Sequence, residues 1–266
     1  MKLEGKPGKY FLRAYLAHGG SPAAYEKEFF ISAKPTEQMN LTIGALGVPQ
    51  EAIDFLTTQG ITVTGDLESV DTILIGDIAA DGAVGENAKP KSWDPTINFH
   101  KPRAAQTAAN GTRLMELCEK GKHLIFGESF YLHNHDDDHP CELISFFGMP
   151  DLDIFLTPDW LYHMDNAFLP HKFTAGIKEG FLDWDWFWGC QPIDAIVTEC
   201  EADVAAAFFY VGGPIWCKPY NEMLAGPQIA TFPRGKGSFT LTALPLLQNT
   251  GSCPAGDRIL LNMIRG

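Results

Sequence analysis

A strand-like run, His123-Leu-Ile-Phe126, leads straight into Gly127-Glu128-Ser129. A serine on a sharp turn after a strand can present its hydroxyl for acyl transfer when small residues flank it, because the strained elbow leaves no room for larger ones. The residue two beyond Ser129 is Tyr131, so only half of such an elbow is present. Ser129, with the adjacent Glu128, is the candidate for nucleophilic chemistry. The competing reading is a polar strand end that caps the next segment, and on that reading the site is non-catalytic.

The next segment carries three histidines and three aspartates within seven residues, His133 to His139. Imidazole nitrogens and carboxylate oxygens in that density could hold a divalent metal. Adjacent aspartates point apart unless the loop folds back, so a metal site would use a subset such as His133, His135 and His139. A solvated acidic loop explains the same composition, and the expectation is that no metal or other cofactor is bound. Further on, Phe181-Leu-Asp-Trp-Asp-Trp-Phe-Trp188 would, if extended, place Trp184, Trp186 and Trp188 on one face and Asp183 and Asp185 on the other. Indole faces beside carboxylates can stack on a sugar and bond its hydroxyls, whereas plain packing would bury them in a core or an interface. Glycoside hydrolysis itself needs two carboxylates about 5 to 9.5 Å apart across a cleft, and no pair of acids stands in a recognisable motif.

The elements that must position these residues follow from periodicity. Leu114, Met115, Leu117 and Cys118 recur at helical spacing and Gly121 can end that helix, which makes 111–121 followed by the strand 123–126 half of an α/β unit. Upstream, 41–46 reads as a buried strand, 49–56 as a helix with proline in its first turn and Gly60 at its end, and 61–64 and 71–77 as strands. Residues 78–110 read as a long connection. Downstream, 142–148 reads as a helical turn or two, 204–211 as a buried strand, 228–233 and 238–243 as a hairpin, and the chain from Pro254 as a helix with an apolar stripe. Helices alternating with short β-branched strands predict an α/β domain over 41–266, with a doubly wound, mostly parallel sheet and helices on both faces. Sites in such sheets lie beyond the carboxyl ends of the strands, which is where Gly127-Glu128-Ser129 falls.

Residues 1–34 read differently. Strand-like alternation over 9–17 and 25–31, separated by His18-Gly-Gly-Ser-Pro22, predicts one β-hairpin, and the polar, proline-containing 35–40 a linker. A lone two-stranded hairpin is marginal in water, so it must add to something larger, either the main domain or a sandwich domain of which it is the last part.

The whole chain, 266 residues with 45% hydrophobic side chains, can bury a large core. Its net charge of -13 opposes phosphate backbones and anionic lipid, so nucleic acid and membrane surfaces are not expected partners. No run approaches the ~18 apolar residues a membrane span needs, and residues 1–8 lack the apolar stretch of a signal peptide. The sequence as written is that of a cytoplasmic protein, or of an exported one if a signal precedes it. The six cysteines form no CxxC and most sit in apolar segments, which reads as unpaired thiols.

The turn Arg234-Gly-Lys-Gly237, the strand Thr240-Leu-Thr-Ala-Leu244 and the run Pro254-Ala-Gly-Asp-Arg-Ile-Leu-Leu-Asn262 together resemble the close of a class I glutamine-amidotransferase-like domain. Such domains end many glycoside hydrolases, notably relatives of β-galactosidase. The segments 161–168, 173–177 and 181–187 look like theirs as well, so the resemblance covers residues 40–266, and Gly8-Lys-Tyr-Phe-Leu-Arg-Ala14 resembles the last strands of an immunoglobulin-like sandwich in large multidomain enzymes. The resemblance implies a flavodoxin-like sheet in an accessory, non-catalytic domain, with the sugar-cleaving barrel upstream. Its implied partners are the upstream domains of a parent enzyme, carbohydrate and a second copy of the chain. Active amidotransferases of this family carry Gly-x-Cys-x-Gly at the elbow and a late His-x-Glu. Here serine stands at 129, tyrosine at 131, and no histidine follows His171. The alternative is a stand-alone hydrolase that uses Ser129 or a metal held by the 133–139 loop.

Overall fold

The computed structural model describes residues 5–6, 8–15, 25–31, 38–85, 104–127, 129, 133–136, 139–143, 147–149, 152–156, 164–177, 180–181, 190, 192, 194–211 and 223–266. The chain divides into two compact units, Met1–Gln38 and Met39–Gly266.

The first unit pairs β1 (Gly8–Ala14) with β2 (Tyr25–Ile31) in antiparallel register, Tyr10 opposite Phe29 and Arg13 opposite Glu26. Tyr10 and Phe29 stack at 5.6 Å, while Lys9 pairs with Glu28 and Arg13 with Glu26. Cross-strand pairs of this kind each stabilise a ribbon by only about 0.2–1 kcal/mol. Phe11, Leu12, Tyr15 and Tyr25 stay exposed.

The second unit runs β3 (Leu41–Leu46), β4 (Val48–Pro49), α1 (Gln50–Thr58), β5 (Ile61–Thr64), β6 (Thr72–Ile75), β7 (Val84–Gly85), α2 (Ala104–Glu119) and β8 (His123–Phe126). It continues through β9 (His133–Asp136), β10 (His139–Leu143), β11 (Leu152–Leu156), β12 (Met164–Phe168), β13 (Gly180–Phe181), β14 (Asp194–Thr198), β15 (Asp203–Val211), β16 (Met223–Arg234), β17 (Gly237–Thr242) and α3 (Pro254–Arg265). The main sheet has nine strands in the order β13-β12-β15-β16-β17-β8-β6-β3-β5. From β17 to β5 every neighbouring pair is parallel, and from β17 back to β13 every pair is antiparallel. The unit is thus a mixed α/β domain, with a parallel half extended by an antiparallel one.

Strict alternation assigns each side chain of the parallel half to one of two cores. Ile43, Ala45, Leu74 and Ile125 join Ala52 and Leu56 of α1 and Ile259, Leu260, Met263 and Ile264 of α3. Leu46, Ile73, Ile75, Leu124, Phe126, Phe239 and Leu241 join Leu114, Met115, Leu117 and Cys118 of α2. Helices therefore pack on both faces, and a one-residue slip of any strand would exchange its two sets. The α2 side is closed by aromatic rings: Phe239 lies between Phe232 at 5.2 Å and Phe147 at 4.9 Å, with Phe126 edge-on to Phe147.

The structure departs from the periodicity at two places. Helix α2, expected over 111–121, begins at Ala104, so part of the expected connection 78–110 is helix, and another part is the short strand β7. The alanines at 104, 105, 108 and 109 are strong helix formers, and that propensity extends the amphipathic segment backwards. Glu142 and Leu143, expected to begin a helical turn, lie instead in β10, where they pair with Asn134 and His133 of β9. Phe147 stands in a 3-10 turn before Gly148, and residues 144–146 lie outside the described residues.

Candidate functional site

At the carboxyl end of the parallel strands the chain is pressed against itself. Gly47 follows β3 with φ +63°, and a Cβ there would lie 2.0 Å from the Asp77 carbonyl oxygen. Cβ atoms at Gly76 and Gly85 would lie 2.4 and 2.3 Å from the Gly47 carbonyl oxygen. Three backbones meet where only glycine fits. They are tied together: Gly47 N donates to Gly82 O (2.9 Å), Val48 N to Ala83 O (2.9 Å), Gly76 N to Leu46 O (2.9 Å), Asp77 N to Gly47 O (2.8 Å) and Gly127 N to Ile75 O (3.0 Å). Asn110 of α2 donates from Nδ2 to the Ile78 (2.7 Å) and Ala80 (2.9 Å) carbonyls, which fixes the loop after β6. Leu247 then covers Gly127 and Gly76, its side chain 2.6 and 3.2 Å from where their Cβ atoms would be.

Ser129 sits just past this seam and is buried, 2% exposed. Of the described imidazoles, His123 begins the strand that Ser129 follows, roughly 13 Å back from Gly127 at ~3.3 Å per residue. His171 is bound to Asp203 of β15, three strands from β8 and so roughly 14 Å away at ~4.8 Å per strand. Neither is placed as a general base for Ser129. Glu128, Asp183, Trp184, Asp185, Trp186 and Trp188 lie outside the described residues. His133 and His135 lie on β9 and His139 on β10, opposite Asp136, so the backbone brings the histidine-rich segment into one ribbon; the side chains of this ribbon lie outside the description. Among the described residues no group of three or more His, Cys, Asp or Glu could hold a metal ion.

Toward the amino end of β8, on the α1/α3 side, the sheet carries a row of polar side chains. His123 Nδ1 lies 2.7 Å from Ser238 Oγ, its Nε2 makes a longer contact of 3.4 Å with Thr240 Oγ1, and Thr240 Oγ1 meets Thr231 Oγ1 at 2.7 Å. Register continues the row, since Thr231 pairs with Asp203, and Asp203 Oδ2 takes a bond from His171 Nε2 at 3.1 Å. His171 Nδ1 accepts from the Phe173 amide, so Nε2 carries the proton. Burial, with a smaller contribution from Lys172, lowers the pKa of His123 against the raising effect of Ser238. A neutral imidazole bonded to hydroxyls on both sides is a satisfied polar network, able to pass a proton. The signal for this row was present in the sequence as the alternation Ser238, Thr240, Thr242 opposite Phe239, Leu241; its partners on other strands were not.

Near the carboxyl end again, α3 opens with Cys253 as N-cap, its sulfur accepting from the Gly256 amide at 3.4 Å, and Pro254 in the first turn. Asp257 accepts from Gly251 N at 2.9 Å, yet burial pushes its carboxyl up to about 6.

No protein-family model matches this sequence, and no curated protein matches it either. Among solved structures, the chain is similar to Cytoplasmic Protein STM3548 from Salmonella typhimurium, with TM-score 0.45 and 10% identity over 97% of this chain and 95% of that one. It is similar to Cytoplasmic Protein STM1381 from Salmonella typhimurium LT2, with TM-score 0.42 and 10% identity over 97% and 96%. The β-galactosidase from Bacillus circulans sp. alkalophilus is similar at TM-score 0.39 and 12% identity, over 86% of this chain and 31% of that enzyme's length.

Proposed function

We propose that Met39–Gly266 is a non-catalytic accessory domain of the glutamine-amidotransferase-like kind, serving a glycoside hydrolase by stabilising it, assembling it or shaping its cleft. The observation that carries this reading is the close packing of the carboxyl edge among the described residues. Beyond β3, β6 and β8, where an α/β sheet of this kind would hold a ligand, Gly47, Gly76 and Gly85 bring backbone against backbone and Leu247 lies over Gly76 and Gly127. The strand order β5-β3-β6-β8-β17, numbered among the parallel strands alone, is 2-1-3-4-5, and helices lie on both faces; this supports a flavodoxin-like, doubly wound arrangement. The sequence resemblance over residues 40–266 supplies the glycosidase context, and the hairpin β1–β2 is read as the end of a sandwich domain of the same parent. Trp184, Trp186 and Trp188, with Asp183 and Asp185, are the proposed contact with carbohydrate or with an upstream domain.

The test is turnover by the purified chain of nitrophenyl galactosides and short-chain nitrophenyl esters, beside the Ser129→Ala variant. The expected result is no rate above background for either protein, with both folded by circular dichroism. Ester hydrolysis that Ser129→Ala abolishes would instead make this a serine hydrolase, and hydrolysis that a chelator abolishes would point to the 133–139 ribbon.

A further inference from the structure

Cys190 and Cys253 lie far apart in sequence and meet at Gly256. An added Cβ at Gly256 would stand 3.0 Å from Cys190 Sγ and 3.4 Å from Cys253 Sγ, so the two sulfurs flank the one position of the first turn of α3 that has no side chain. Cys253 Sγ accepts the Gly256 amide at 3.4 Å, and Cys190 Sγ lies 3.8 Å from the Pro245 carbonyl oxygen. Both residues are buried in the α1/α3 core, against Leu244, Leu246 and Leu247. We propose that Cys190 and Cys253 are a dithiol that closes to a disulfide, a modification site that fastens the start of α3 to the segment before β14.

The chemistry suits the placement. The amino end of a twelve-residue helix stabilises a thiolate at its cap. The hydrogen bond shared with Cys190 is the first cause of a lowered Cys253 pKa, ahead of opposing burial and the Gly256 amide. With a peroxide as oxidant, the Cys253 thiolate attacks one peroxide oxygen, the O–O bond breaks, and a sulfenic acid and water (or an alcohol) result. The Cys190 sulfur then attacks the sulfenic sulfur, expels its oxygen as water and forms the S–S bond, so two thiols and one peroxide give one disulfide. Cys118 supplies the contrast inside the same molecule. It lies on α2, buried against the sheet, its described contact is the Arg234 carbonyl at 3.9 Å, and burial raises its pKa to about 11.

The test treats the folded full chain with hydrogen peroxide, blocks remaining thiols with an alkylating agent in denaturant, and maps peptides without reduction. A Cys190–Cys253 linked peptide, about 2 Da lighter than its two reduced parts, is expected to appear at least tenfold faster than oxidation of Cys118. In Cys190→Ser, Cys253 is expected to stop at a sulfenic acid that dimedone traps. Absence of the linked peptide from the folded protein, whatever else is oxidised, overturns the proposal. So does oxidation of Cys118 at the same rate, or linkage that appears only in denaturant.

Discussion

The two ends of the parallel sheet are built from opposite materials. At the carboxyl end, backbone meets backbone through Gly47, Gly76 and Gly85, and Leu247 covers the seam. Toward the amino end, His123, Ser238, Thr240 and Thr231 form a bonded row that register carries to Asp203 and His171. An α/β sheet that binds a ligand does the reverse, opening its carboxyl end and leaving polar groups there to meet substrate. The contrast teaches that the geometry of a strand-to-helix edge does not itself make a site. What matters is whether space and unspent polar groups remain at that edge, and among the described residues Gly47, Gly76, Gly85 and Leu247 fill it with backbone and an apolar side chain.

If the carboxyl seam is structural, Gly47→Ala should give the largest effect. The φ of +63° strains any other residue, and its Cβ would sit on the Asp77 carbonyl, so the loss should reach about 3 kcal/mol or more in urea unfolding. Gly82→Ala, with open space at its Cβ, should be close to neutral. Equal effects at the two positions would break the account of the seam. Leu247→Ala comes next: it removes a fully buried side chain from between two strand ends and should cost about 2–5 kcal/mol. The cavity it leaves would also reopen the edge, so weak uptake of a small apolar probe by this variant alone would sharpen the point.

The polar row should be more forgiving. Thr240→Val keeps the shape of a residue that is fully buried but strands Thr231 Oγ1 and loosens His123, which should cost about 1–2 kcal/mol. A larger loss would mean that the row, rather than the seam, organises the sheet.

Much of the parallel half was readable because its signals are local. Ile73, Leu74 and Ile75 are buried on both faces and so read as one apolar run, and Gly60 and Gly121 mark helix ends through positive φ, +80° and +118°. The hairpin β16–β17 was readable from Arg234-Gly-Lys-Gly237 in the same way. The antiparallel half was not, because β12 and β15 are joined by pairing across a long stretch of sequence, Met164 opposite Tyr210, and no local pattern states that register. Ser129 drew attention because Gly127 and, two residues on, a hydroxyl follow a strand; the packing beside it is set by Leu247, more than a hundred positions away, lying over Gly127. The thiol pair was hidden for the same reason, since Cys190 and Cys253 share no spacing motif and meet only when α3 docks.

The smallest predicted effect sets the two ends against each other by pH. Asp257, at the start of α3, has its carboxyl raised by burial to about 6 from an ordinary value of 3.8. Between those values the folded chain holds the extra proton, so this residue destabilises the fold as pH rises from about 4 to about 6. His123 does the opposite. Its pKa is lowered from 6.5, so below that value the unfolded chain holds the extra proton, and stability is lost as pH falls through the lowered value. Asp257→Asn, which keeps an acceptor for Gly251 N, should therefore gain stability on the order of 1 kcal/mol at pH 7 and nothing near pH 4. His123→Asn, which keeps a polar atom near Ser238 Oγ, should lessen the loss on the acid side and leave pH 8 least changed. Urea unfolding of the three proteins from pH 4 to pH 8 checks both signs, and curves that shift in parallel would show that neither group titrates with folding.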